Sequence, residues 1–187
     1  MAPRPKNAAA TRETMLASAR RRFLEESYEN VGLRDIAGDA GVDVALVGRY
    51  FGSKEDLFHE VLRGNKGALL DPSMAAEDLP AHIAALAVSK AECASREHIE
   101  RLLIILRSAS SPKASELVRT SFREDVLLPI ARIVGGDDGE FRAGMALSLL
   151  TGTTIIRTIM SVEPLDRCDS ANLEARLRGL LHQALLG

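Results

Sequence analysis

Apolar residues recur at helical spacing along most of this chain, and no alternating apolar/polar run bounded by turns predicts a strand. Met15, Leu16, Ala19, Phe23 and Leu24 form one stripe, which predicts a first helix over 11–27. Leu33, Ile36 and Ala37 at i, i+3 and i+4 predict a short second helix. Ala40-Gly41-Val42 then turns the chain, because Gly41 can take a positive φ at no steric cost. Asp43 is a good N-cap for a third helix, Val44 to Phe51, with Leu46, Val47 and Phe51 facing inward. Ser53 caps a fourth helix with Asp56 in the capping-box position and Leu57, Phe58, Val61 and Leu62 inward. Gly64 and Gly67 mark where that helix frays or ends.

Residues 71–80, DPSMAAEDLP, make the clearest break in the pattern and set a domain boundary near 66–78. Beyond it, helices are expected over 80–93, 97–108, 113–134, 139–162 and 170–186. Pro112 suits a helix start, and GGDDG at 135–139 is a turn. Pro129 inside 113–134 predicts a kink, or two helices in place of one. The fold class is therefore all-α.

Two short helices joined by a tight glycine turn form a helix-turn-helix, whose second helix is shaped to enter a DNA major groove. At these residues the chain resembles the TetR family of transcriptional regulators. The resemblance rests on Tyr28-Glu29, RDIA at Arg34–Ala37, AGV at Ala40–Val42, RYF at Arg49–Phe51 and GSKEDLF at Gly52–Phe58. It covers residues 10–65 with the spacing intact. Two positions depart from the family pattern: Gly32 stands where Ser or Thr usually caps the second helix, and Gly48 where Tyr is common. The resemblance implies a DNA-binding domain over 9–66, with its motif at 33–52, and a helical ligand-binding and dimerisation domain over 67–187. Helix 4 joins the two.

Composition adds limits. Of 187 residues 46% are hydrophobic but only 4% aromatic, with no Trp, so the core falls to Leu, Ile, Val and Ala. The net charge of −2 argues weakly against a nucleic-acid partner until its distribution is considered. Arg4, Lys6, Arg12, Arg20, Arg21 and Arg22 face Glu13 alone over residues 1–22, so basic charge gathers at one end of an acidic chain. Arg4 and Lys6 lie in a Pro-containing arm that either follows DNA or merely solubilises, and Arg21 fits a solvated helix face. Cys93 and Cys168 read as reduced thiols, not as a disulfide. Without a signal peptide or a run of 18 apolar residues, the chain is expected to be soluble and cytoplasmic, with no membrane partner. His59, His82, His98 and His182 lack a Glu three residues earlier, and hydrolase, phosphate-loop and zinc patterns are missing. An enzyme is not expected, nor any cofactor.

Arg49 is the best candidate for a base contact, since a guanidinium can donate two hydrogen bonds to guanine O6 and N7; a phosphate contact is its other role. Val44 and Ala45 can touch thymine methyls. Tyr50 matches a family position that bonds a phosphate, or else packs against helix 1. Arg34 reaches the DNA backbone or pairs with Asp35 or Asp39, and Lys54 begins helix 4 where amides and an ammonium together hold a phosphate.

A helix-turn-helix of this size needs a partner subunit, because dimers bind two half-sites about 34–36 Å apart. Gly144, Ser148 and Gly152 form a small-residue stripe that lets another helix approach closely, either within the chain or across a dimer. The resemblance places the dimer interface on the last two long helices, where Leu173, Leu177, Leu180 and Leu181 give the matching stripe. It also implies an effector pocket, for which Leu102, Ile105, Leu106, Phe122, Met145, Leu149 and Thr153 are candidates. Arg107 and Arg157 lie in apolar helical segments, where each either pairs with a carboxylate or receives an anionic ligand. The function that follows is a repressor binding a palindromic double-stranded DNA operator as a homodimer and released by an unknown small molecule. The alternative is a helical effector-binding or adaptor protein with weakened DNA binding, which Gly32 and Gly48 keep open.

Overall fold

A computed structural model describes residues 5–64, 70–71, 73–89, 93–109 and 111–187, and every regular element among them is helical. In order these are α1 (Pro5–Glu25), α2 (Leu33–Ala40), α3 (Val44–Phe51), α4 (Lys54–Arg63), α5 (Leu79–Val88), α6 (Cys93–Ser108), α7 (Pro112–Phe122), α8 (Leu128–Val134), α9 (Gly139–Thr154) and α10 (Ser170–Leu186). The chain divides into two units, one of residues 1–64 with 100–121, the other of 65–99 with 122–187. Among the described residues no helix is long and apolar enough to cross a membrane.

In the first unit α1 begins at Pro5, not near Thr11, so the expected arm is helical from that point; Arg4 lies outside the described residues. Proline fits a first helical position, and Ala8–Ala10 that follow are the best helix formers. Met15, Ala19 and Phe23 of α1 are fully buried with Tyr28, Ile36, Leu57, Phe58 and Val61. Three rings form the centre of this core. Phe23 and Tyr28 each meet Phe58 edge-on at 4.8 Å, while Phe23 and Tyr28 stack at 6.0 Å.

The unit also draws in residues 100–121, which the sequence pattern assigned to the second domain. Ile104 and Ala114 complete the apolar core there. Two arginines close helix C-termini: Arg101 donates to the carbonyls of Leu62 and Arg63 at 3.4 Å each, and Arg107 to the Glu25 carbonyl at 3.1 Å. Arg107 is thus exposed and bonded to a backbone carbonyl, not buried, and among the described residues it pairs with no carboxylate. Ser111 hydrogen-bonds the Glu29 carboxylate, and Lys113 pairs with Glu55.

In the second unit α10 packs along α5 and α9, and α8 packs on α9. Leu79, Ile83, Ala84, Ile130, Ala143, Ala146, Leu147, Leu150, Leu173, Leu177, Leu181 and Leu185 form its core. Gly139 sits at a close approach of α9 to α8, since a Cβ there would meet the Ala131 carbonyl oxygen at 3.0 Å. The expected helix over 113–134 is two helices joined by a π-helical segment, Arg123–Leu127. That segment brings Pro129 into the first turn of α8, where a missing N–H costs little. A second π-helical segment, Ile155–Ile159, follows α9 and shortens the expected 139–162 helix. Cys168 is a free thiol.

Arg22 grips Asp39 through Nε at 2.6 Å and Nη2 at 2.8 Å, and Arg21 adds a contact at 2.9 Å, which fixes α2 against α1. Hydrogen bonds from Arg22 and then Arg21 hold the Asp39 carboxyl well below its usual range. Its stabilisation is therefore present above the unfolded pKa of about 4 and is lost as pH falls toward the depressed folded value. Asp39→Asn should melt below the wild type at pH 7, with the gap narrowing progressively in thermal melts recorded below about pH 4. A gap that stays constant with pH would assign Asp39 a role other than this ion pair.

Candidate nucleic-acid interface

The α2–α3 turn is built from backbone geometry that the residue types allow. Gly32 begins α2 without a capping side chain, so only half a capping box forms, its N–H donating to Asp35 Oδ2 at 3.2 Å. Gly41 adopts φ 67°, ψ 33°, and the Val42 N–H reaches back to the Ala37 carbonyl at 3.0 Å. Asp43 accepts from the Ala45 N–H at 2.8 Å and caps α3. Gly52, at φ 83°, ends α3 in a conformation that suits glycine, and its N–H returns to the Gly48 carbonyl at 2.8 Å. Ser53 and Asp56 then make a full capping box: the Asp56 N–H donates to Ser53 Oγ at 3.1 Å and the Ser53 N–H to Asp56 Oδ2 at 3.0 Å. Hydrogen bonds from Ser53 hold the Asp56 carboxyl below its usual range.

Val47 and Phe51 anchor α3 in the core, which turns Val44, Ala45 and Arg49 outward. Arg12 lies 4.9 Å over the Phe51 ring and pairs with Glu60 at 2.7 Å, so one guanidinium holds the end of α3 between α1 and α4. Arg49 and Arg34 are exposed, and neither is ion-paired with a carboxylate among the described residues. Arg34 thus does not take up Asp39, which Arg21 and Arg22 already occupy. Tyr50 is half-buried and lines, with Ala8, Leu46 and Arg49, a cleft of 350 Å³ between the start of α1 and α3.

Lys54 has a contact that its sequence position does not announce. Its ammonium sits 4.3 Å from the centroid of the Tyr28 ring, and burial lowers its pKa. Burial likewise pushes the Tyr28 hydroxyl up to about 12. The basic cluster of residues 1–22 is also partly committed, because Arg12, Arg21 and Arg22 all have carboxylate partners. An excess of basic letters in α1 could not reveal Glu60 or Asp39 as those partners; only the helix packing does.

In the second unit, Leu173, Leu177 and Leu181 are spent on the unit's own core, and of the α10 stripe only Leu180 stands exposed, at 56%. The reason is periodicity: the residues at i, i+4 and i+8 share a face, and that face packs on α5 and α9. Gly144 is half-buried beside Leu127, whereas Ser148 is exposed and a Cβ at Gly152 would meet nothing within 4 Å. The outward face of α9 carries Phe141 at 71% and Met145 at 48%, which the small-residue stripe had overshadowed. Of the pocket candidates, Leu102 is buried and Ile105 half-buried in the first unit, while Leu149 and Thr153 are half-buried in the second. Leu106, Phe122 and Met145 are exposed.

Comparison with known proteins agrees with this geometry. Residues 15–61 match a family described as bacterial regulatory proteins, tetR family, and residues 77–185 match the tetracyclin repressor-like C-terminal domain. A TetR-family regulator from Streptomyces coelicolor A3 is 25% identical with a TM-score of 0.55, each chain covered over 100%. Salmonella enterica GusR is 19% identical with a TM-score of 0.67, over 94% of this chain and 95% of that one. NalD of Pseudomonas aeruginosa, the secondary repressor of the MexAB-OprM multidrug efflux pump, is 18% identical with a TM-score of 0.65, over 90% and 96%. No curated protein matches the chain.

Gly48 offers a direct check on the exposed face of α3. A Cβ there would meet nothing within 4 Å, and alanine is the better helix former. Gly48→Ala should therefore raise the unfolding free energy by about 0.5–1 kcal/mol in urea titrations. A loss of stability would mean that the Gly48 side of α3 is not open.

Proposed function

The chain belongs to the tetR family of bacterial regulatory proteins and is a DNA-binding transcriptional regulator, and we propose that it represses transcription as a homodimer on a palindromic operator until a small molecule releases it. The observation that carries this reading is Arg49: an exposed guanidinium with no carboxylate partner among the described residues, on a capped helix whose neighbours Val44, Ala45 and Gly48 are small. Arg49 reads guanine O6 and N7, while Val44 and Ala45 contact thymine methyls. Arg34 and Tyr50 contact phosphates. Lys54 contributes positive potential at the start of α4, while its ammonium rests over the Tyr28 ring. The protein acts by binding, in the cytoplasm.

A second copy is proposed to cover the face of α9 on which Phe141, Met145 and Ser148 are exposed and Gly152 is half-buried, together with Leu180 of α10. Large exposed apolar side chains on one helical stripe support this, because a lone soluble chain gains nothing from them. The effector must bind the released state better than the DNA-bound one, since equal affinity for both shifts nothing. NalD is itself a repressor, which supports the sign of regulation assigned here.

Three measurements test this reading. Fluorescence anisotropy with duplex from the promoter region of the protein's own gene should give an affinity that falls with salt. Arg49→Ala should cost about 1–3 kcal/mol of discrimination at one base position per half-site, read on singly substituted duplexes. A uniform loss across sequences would make Arg49 a backbone contact, and no binding even at low salt would leave the adaptor reading. Separately, Met145→Glu should convert the dimer to a folded monomer in light scattering; an unchanged mass would remove α9 from the interface.

A further inference from the structure

Arg157, in the π-helical segment Ile155–Ile159, is only 1% exposed and heads the largest fully buried side chains. Its Nη1 donates to the carbonyl of Val88, the last residue of α5, at 3.0 Å. Its Nη2 donates to Ser170 Oγ, at the first residue of α10, at 2.9 Å. Both acceptors are neutral. No carboxylate pairs with Arg157 among the described residues, and its Nε–H is buried without an acceptor.

A guanidinium cannot shed its charge on burial, unlike a lysine or histidine, and an anion offsets its desolvation further than neutral acceptors do. Two hydrogen bonds fix the plane of the group, and the carbonyl at the C-terminal end of α5 offsets its charge only in part. They leave free the Nε–H and the second hydrogen on each terminal nitrogen, the donor arrangement that takes a carboxylate through two parallel bonds. The nearby Thr154 hydroxyl does not compete for such a ligand, because it is committed to the Leu150 carbonyl at 2.9 Å. The core of this unit is otherwise aliphatic, and π-helical turns are frequent at functional sites.

We propose that Arg157 receives the carboxylate of a small organic acid whose remaining atoms are apolar. This deepens the reading of the second unit as the effector-binding one. It is measured without DNA, so that failure of the operator reading and failure of this site are separate results. The competing role is purely mechanical: Arg157 would only tie the end of α5 to the start of α10.

The full-length protein is titrated with octanoate and benzoate, and in parallel with the neutral octanamide and benzamide. The readouts are the Arg157 Nε–H resonance in nitrogen-15 NMR and isothermal calorimetry. The acids should shift that resonance and bind at least about tenfold more tightly than their amides. Arg157→Met should lose that preference while keeping its helical circular dichroism, and Arg157→Lys should recover only part of it, since an ammonium lacks the fork. Equal binding of acids and amides, or an acid preference that survives in Arg157→Met, overturns the proposal. Should both variants fail to fold, the wild-type resonance decides: if neither acid moves it at millimolar concentration, Arg157 is a mechanical tie.

Discussion

The contact of Phe58 with Phe23 and Tyr28 is the constraint on which the DNA-binding unit depends. Helices of 8 residues, such as α2 and α3, are too short to persist alone in water. They are helical because α1 and α4 present an apolar floor, and the three rings lock those two longer helices together. Removing a ring of this kind from a core costs about 3–5 kcal/mol, a large part of the about 5–15 kcal/mol by which a domain is stable. A lost ring would therefore disorder α3 before it altered any DNA contact. Lys54 extends the cluster outward by lying across Tyr28, so its position is governed by the same rings.

Around that floor the cations divide by task. Arg12, Arg21, Arg22, Arg101 and Arg107 are spent on the protein's own carboxylates and helix ends. Pairs as exposed as Arg12–Glu60, at 38% on each side, contribute about 0–1 kcal/mol. Their value is in orientation: each joins two helices whose relative angle decides where α3 points. Among the described residues Arg34 and Arg49 are uncommitted to carboxylates, and both lie at the surface, where a polyanion can recruit them. Charge balance over a segment does not distinguish the two groups, whereas partner geometry does.

Much of the first unit was legible in the sequence. Apolar spacing and cap residues placed α2, α3 and α4 to within a residue, because Gly41, Asp43, Gly52 and Ser53 act locally. The start of α1 was missed because Pro5 suggested a broken arm where it begins a helix. The assignment of residues 100–121 to the first unit was not legible, since Ile104 and Ala114 look like the core of any helix. For the same reason Leu173, Leu177 and Leu181 suggested a face toward a partner, whereas they are buried in the core of the second unit. An apolar stripe says that a helix is covered, not by what. Gly67 lies outside the described residues.

Everything functional rests on α3 acting as a rigid, outward rod that is presented twice to one duplex. Selection of bound sequences from a pool of random double-stranded DNA tests this most directly. The account predicts an inverted repeat whose half-sites are centred about one helical turn apart, with a guanine in each half. A selected motif without two-fold symmetry, or a pool that never enriches at low salt, would contradict it.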